Sequence, residues 1–342
     1  MVDYGYTNDN QYFLKESIYK AREKGIDLSN YLLGENFEGI GSQSNETPKM
    51  KVPQYKYVRK NYLKKYNITP KNINPTGSLS SGGLSNMWGA GVFPYIEDDL
   101  AGSGLIYNDL KKSYQNIAKR IGVSGADDDL VSSFGNDIPL LEPIKLHHNA
   151  QTILNSYENN KYHDSLLIGH NRNAVISKDY NGRKGCSLEN CCLWGCQNNS
   201  IYNAQIDLKV LEKKNNFFYK KGVFVKKLLK KNSEYEIVSD SKSNVEIISA
   251  KYVCLAAGAI GSTVIACNSL KLYNQKIKIM CHPAFAFPLI FPKRVGSLIS
   301  EKSFSLGQLA YSLRQQEEEV AFGILFSSCL LYTSDAADEE DS

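Results

Sequence analysis

Two stretches of this 342-residue chain hold residue types at spacings that can do chemistry. Residues 82–94 read Gly-Gly-Leu-Ser-Asn-Met-Trp-Gly-Ala-Gly-Val-Phe-Pro. Gly82, Gly83, Gly89 and Gly91 let the backbone come close to a flat or phosphorylated group, while Trp88 and Phe93 supply bulk to pack behind it. The same glycines would also serve a loop that only turns. The second stretch is Cys186-x4-Cys191-Cys192-x3-Cys196, with Trp194 and Gly195 inside it. Thiolates this dense can ligate an Fe-S cluster or Zn. The spacing is not that of the ferredoxin run, and Gln197 follows where proline would stand, so a disulfide or plain packing is preferred over a metal. Among the histidines, His147 and His148 fall on a helical pattern and His163 and His170 flank polar turns; all four read as structural. His282, before Pro283 and a strand-like run at 284–291, can face a substrate but is not assigned as a base. Asp127, Asp128 and Asp129 read as a solvated turn, because the alternating oxygen ligands of a calcium loop are missing.

The elements that must position these residues follow from periodicity. Phe13, Leu14, Ile18 and Ala21 predict a first helix closed by Gly25, and a polar connection without a clear pattern runs over 26–75. Asn108 or Asp109 is placed to cap a helix with the apolar face Leu110, Tyr114, Ile117 and Ile121, ending at Gly122. A second helix through Leu146, Ala150, Ile153, Leu154 and Tyr157 leads to a short strand at 166–168. Residues 217–220, 223–229, 235–239 and 245–249 read as a small β-meander parted by Lys, Asn, Ser and Gly. Residues 252–259 then predict a buried strand ending in small residues, with Ser262 or Thr263 opening a helix through Val264, Ile265 and Leu270. A strand, small-residue turn and helix set a helix N-terminus against a cofactor in α/β sheets, and they equally make a tight turn with no ligand.

Composition bounds the answer. A 42% hydrophobic and 22% charged chain of this length is a globular protein of about two domains. No apolar run reaches the ~18 residues of a membrane span and no signal-peptide order opens the chain, so a soluble, cytoplasmic protein is expected. The net charge of +4 includes Asp335, Asp338, Glu339, Glu340 and Asp341; with those five set aside, 40 bases face 31 acids. The lysines cluster as Lys226, Lys227, Lys230 and Lys231 with no interleaved aromatic platform, a solvated surface and not a nucleic-acid site. Four of the eight cysteines crowd together, and Cys254, Cys267 and Cys281 stand singly in apolar surroundings, which is no secreted disulfide scaffold.

Taken in order, Asp3-x-Gly5, Gly82-Gly83-x-Ser85-Asn86-x-Trp88-Gly89, Gly222-Val223-x-Val225 and Leu255-Ala256-Ala257-Gly258-Ala259-Ile260-Gly261-Ser262 resemble the glucose-methanol-choline family of FAD-dependent oxidoreductases. The likeness covers residues 3–327 and is strongest to bacterial members with a cysteine-rich segment. It implies a mixed α/β (α+β overall) fold, in which an FAD-binding Rossmann-like domain with an inserted β-meander accompanies a substrate domain with an antiparallel sheet. It also implies roles. Asp3 matches the acid that holds the adenosine ribose, as a carboxylate can accept from two vicinal hydroxyls. Gly82 and Gly83 match the close approach to flavin and pyrophosphate, with Ser85 and Asn86 as polar contacts beside them. Val225 matches a strand residue that meets adenine, and Ala256, Ala257 and Gly258 match the turn that closes over the cofactor. Some relatives carry a flavin-linked His at the place of Asn86, so FAD is expected to be noncovalent here.

The chain also departs from the family. No Gly-x-Gly-x-x-Gly follows a strand; the segment 39–44, Gly-Ile-Gly-Ser-Gln-Ser, lacks the third glycine. The family places that fingerprint upstream of the Asp3 position, so Met1 is expected to be an internal start. The family's C-terminal active-site segments have no counterpart, and residues 329–342 look like a translated sequencing adapter. The expected division is 1–135 partial FAD-binding domain, 136–200 substrate-domain part with the cysteines, 201–280 FAD-binding domain with meander and last strand, 281–328 second substrate-domain part, and 329–342 artefact. The reaction the resemblance implies is oxidation of an alcohol, sugar or polyol by hydride transfer to flavin N5, with an unassigned base, an unknown electron acceptor and no activity in this chain by itself. A cysteine-rich metal or redox-relay protein, or a nonfunctional fragment, is the competing expectation.

Overall fold

Alternating apolar residues and short polar turns give two antiparallel sheets of three strands each in a computed structural model. It describes residues 1–7, 20–21, 24–37, 39, 51–160, 165–241, 244–279, 289, 292, 302–315 and 318–326. One sheet joins β1 (Leu166–His170), β5 (Gly307–Gln315) and β6 (Glu318–Phe326) in the order β1-β5-β6. The other is the predicted meander, β2 (Val223–Lys231), β3 (Glu234–Ser241) and β4 (Asn244–Ala250). Its first turn is the two residues Asn232 and Ser233, since Lys231 pairs with Glu234 and Asn232 takes the left-handed backbone such hairpins need.

Four helices of more than two turns stand among the described residues: α1 (Tyr107–Ile121), α2 (His148–Asn160), α3 (Ala204–Leu211) and α4 (Gly258–Leu270). α1 ends at Gly122, with φ of +70°, as its sequence predicts. It begins before Asn108, so Asn108 and Asp109 lie in its first turn and no side chain caps it. Its buried face carries Ala118 and Ile121, while Ile117 is exposed. α2 buries Ala150, Leu154 and Tyr157 against Ile168 of β1 and Leu309 of β5. The main core gathers Val52, Tyr55, Val58, Met87, Ala90, Ile121, Val123, Ala174, Val175, Trp194, Phe304 and Leu306.

Three expectations are corrected. Residues 252–257 form no strand, and Tyr252 is 92% exposed. A strand of that composition is stable only when neighbours take up its backbone hydrogen bonds and cover both faces, and none of the described residues pairs with it. Residues 217–220 likewise form no strand; Lys220 makes a single parallel bridge to Val2. The acids at 127–129 are not simply solvated: Asp128 accepts from the backbone of His170 at 2.7 Å and Asp129 from the Tyr157 hydroxyl at 2.7 Å. The predicted first helix lies mostly outside the described residues, though Lys20 and Ala21 are helical and Gly25 has φ of +64°. Parallel pairing, the mark of a Rossmann-like sheet, is present among the described residues only as isolated bridges, among them Val2 with Lys220 and Tyr6 with Ser80.

Candidate functional site

The opening residues lie extended between two segments far from them in sequence. On one side Asp3 N–H donates to the Lys220 carbonyl at 3.1 Å and Val223 N–H to the Asp3 carbonyl at 3.1 Å. On the other, Tyr6 N–H donates to the Leu79 carbonyl at 3.0 Å and Ser81 N–H to the Tyr6 carbonyl at 2.8 Å. Gly5 breaks the extended run with φ of +65°, and the Tyr4 and Tyr6 rings meet on one side while Asp3 turns to Tyr219 on the other. The tyrosine face packs with Leu79, Phe224 of β2, Tyr62, Tyr66 and Ile260 in the first turn of α4. Tyr4 meets Tyr6 edge-on with ring centres 4.6 Å apart, and the Lys65 ammonium stands 5.0 Å from the centre of the Tyr4 ring. Three of the four segments that carry the family resemblance therefore contribute to one apolar cluster, and Leu79, just ahead of the glycine turn, joins it.

On the opposite face the Asp3 carboxylate accepts the Tyr219 hydroxyl at 2.8 Å. Burial holds its pKa above the ordinary carboxylate value; the hydrogen bonds from Tyr219 and from the Gly5 and Tyr4 backbone oppose that rise. Burial also pushes the Tyr219 phenol up to about 12. A Cβ at Gly5 would stand 2.8 Å from the Tyr219 oxygen, so glycine is what lets the two side chains meet.

Gly82 and Gly83 both take left-handed backbone, with φ of +83° and +59°, and open a single 3-10 turn, Gly83–Asn86. Ser85 Oγ donates to the Gly82 carbonyl at 2.6 Å and accepts from Ala204 N–H at 2.9 Å. Asn86 Nδ2 donates to the carbonyls of Ser81 at 2.8 Å and Gly83 at 2.9 Å. Both side chains are thus engaged by the turn itself and do not face outward. The outer side at Gly83 is open, with nothing within 4 Å of where a Cβ would stand. Val225 is half-buried on β2, paired with Ser239, next to a bulge. Ala256 and Gly258 are exposed, Gly258 has φ of +73° with open space beside it, and Ala257 N–H donates to Ser262 Oγ at 3.1 Å. Ser262 therefore lies inside α4 and ties the turn to it, and the helix starts four residues earlier than expected.

The rest of the glycine-rich stretch crosses toward the first sheet. Trp88 Nε1 donates to the Tyr202 carbonyl at 2.8 Å, Ala174 N–H to the Ala90 carbonyl at 2.7 Å and Val92 N–H to the Arg172 carbonyl at 2.9 Å. Beside this crossing Asp128 faces His170 Nδ1 at 3.3 Å, and a narrow cleft is lined by His170, Asn171, Asn173, Phe304 and Gln308. Asn171 Oδ1 is buried there without a partner. Sequence reasoning missed this pair. Its signal was Gly169 within an apolar strand, since a Cβ there would stand 2.3 Å from Asp128 Oδ1. It also missed Gln205 and Tyr219, which no motif marks.

The cysteine stretch lies against the main core. Cys191 and Cys192 are buried, Cys186 and Cys196 half-buried, and all four are free thiols. Cys196 Sγ accepts from Ser200 N–H at 3.1 Å and Cys192 Sγ from Ser305 N–H at 3.5 Å. Burial pushes the Cys186 thiol up to about 12 and raises that of Cys191 as well. Among the described residues no three His, Cys, Asp or Glu side chains form a group that can hold a metal ion. His147 is buried and His148 exposed, whereas His163, His282, Cys281 and Cys329 lie outside the described residues. No described helix is long and apolar enough to cross a membrane. No protein-family model matches the chain, and no curated protein matches it.

Proposed function

We propose that this chain builds the FAD-binding wall of an oxidoreductase acting on CH–OH donors. The observation that carries the reading is the cluster of Tyr4, Tyr6, Leu79, Phe224 and Ile260, which seats Asp3, the Gly82 turn, Val225 and the opening of α4 on one body. The residues present fit the group. Asp3 is a half-buried acceptor to which Tyr219 and the Gly5 and Tyr4 backbone already donate, and its carboxylate keeps capacity for a ribose hydroxyl. Gly83 and Gly258 each leave open space where any other residue would project a side chain. Ala257 at the head of α4 offers no side-chain cap, Tyr62 takes the Gly261 N–H, and the helix dipole favours negative charge at the remaining first-turn N–H groups.

When bound, FAD supplies the redox chemistry by accepting a hydride from the alcohol carbon at N5. The chain's part is to hold and orient: Asp3 anchors, Gly83 allows close approach, and Trp88 backs the turn through its bond to Tyr202. Asn86 has no nucleophilic atom, so the cofactor stays noncovalent. A thiol relay is less well supported, because burial disfavours the thiolates of Cys186 and Cys191. The substrate class is an alcohol such as a sugar or polyol, handled in an α/β protein with a Rossmann-like cofactor domain.

Titration of the full chain with FAD, followed by quenching of flavin fluorescence, tests this. Saturable binding, with all flavin released on denaturation, is expected. Absence of binding overturns the reading, and a yellow band that survives a denaturing gel overturns the noncovalent part. Bleaching of the bound flavin by a sugar or polyol is not expected from this chain by itself, and turnover of any of them would overturn that part of the reading.

A further inference from the structure

The Gly82 turn is held from behind by one side chain that no motif marks. Gln205, in the first turn of α3, donates from Nε2 to the Ser81 carbonyl at 3.0 Å and to Asn86 Oδ1 at 3.0 Å. Its side chain is also hydrogen-bonded with Tyr57. A Cβ on Gly82 would stand 2.8 Å from Gln205 Cγ, so the stem of Gln205 fills the space that glycine leaves. The placement is fixed by the helix: Asn203 caps α3 by accepting from Gln205 N–H at 3.1 Å, and Ala204 N–H donates to Ser85 Oγ at 2.9 Å. Three consecutive residues, Asn203, Ala204 and Gln205, therefore lock the inner side of the turn while Gly83 stays open outside.

We infer that Gln205 is a positioning residue for the cofactor: it fixes Asn86 and the Ser81 carbonyl, and through them the two left-handed glycines, in the shape that admits a flat or phosphorylated group at Gly83. The inference rests on the proposed FAD reading. Glycine adopts left-handed backbone without strain but also has the most freedom to leave it, so two adjacent glycines keep one shape only where outside contacts hold them. Without the Gln205 amide, Asn86 keeps its bonds to the Ser81 and Gly83 carbonyls but loses the donor on Oδ1, and the turn gains alternatives that bind less well.

The test is Gln205→Met, which keeps length and bulk and removes the amide, measured in the full chain in two ways. Hydrogen exchange of the apo protein is expected to speed up about tenfold at residues 82–88 and to stay unchanged in β3. The dissociation constant for FAD is expected to rise about tenfold, the loss of one to two ordinary hydrogen bonds. In an Asn86→Ala background the same substitution should add clearly less than tenfold, because only its bond to the Ser81 carbonyl is then left to lose. Exchange or affinity unchanged by Gln205→Met, or full additivity with Asn86→Ala, overturns the positioning role and leaves the FAD reading standing. If the wild-type chain binds no FAD, the reading falls and the role falls with it.

Discussion

Asp3 is tuned for two opposed demands. Burial raises its pKa, so ionising it costs the folded state more than the unfolded one. Its contribution to stability is therefore fully present below the ordinary value of 3.8 and is lost as pH rises through the raised folded value. Asp3→Asn is expected to melt higher than the wild type at pH 7 and at the same temperature at pH 3, as measured by thermal denaturation at both. The same substitution removes a charged acceptor, so FAD affinity should fall about tenfold. A variant that gains stability and loses cofactor marks a site kept for binding. Asp3 was singled out in the sequence only through the resemblance that Asp3-x-Gly5 and the later motifs carry together, since an acid two residues before a glycine is by itself no signal. Its partner Tyr219 was not, because a contact across more than two hundred residues leaves no spacing to read.

Elements were legible where one face alone decides them. The meander strands alternate and the Asn232 turn is local, so sequence and structure agree there. The pairing of β1 with β5 was not legible, because register between distant strands is set by what they bury together. Residues 252–257 failed for a related reason: their composition suits a strand covered on both faces, and no described strand lies beside them. α4 buries only Gly261 and Ile265, Leu270 is 67% exposed, and Leu255 ahead of it is also exposed. Its contact with the meander is specific, with Leu228 N–H donating to Ser269 Oγ at 2.8 Å. Ser269→Ala should cost about 1–2 kcal/mol in denaturant unfolding, since it leaves that N–H without its acceptor. Leu255→Asp should change stability by less than about 0.5 kcal/mol while lowering the binding of an apolar dye. A large loss from Leu255→Asp would show that the segment is covered in solution.

At the scale of the whole molecule, the two sheets meet through the glycine-rich stretch, whose first half faces the Asp3 wall and whose second half reaches Arg172 and Asn173 beside β1. The cysteine stretch lies against the core between them and behaves as packing. Cys254 is exposed, whereas Cys191 and Cys192 are buried in the core. Among the described cysteines, Cys254 should therefore react first with a thiol reagent, and Cys191 and Cys192 only after denaturant is added, as peptide mapping of the labelled protein would record. Prompt labelling of Cys191 in the native protein would mean that the stretch opens. The sequence shows two tryptophans, and the fold gives them different surroundings. Trp194 is 1% exposed with its indole N–H on the Leu32 carbonyl, while Trp88 is half-buried within the glycine-rich stretch. The molecule thus carries two optical reporters of different reach: a soluble quencher such as acrylamide should find Trp88 well before it finds Trp194.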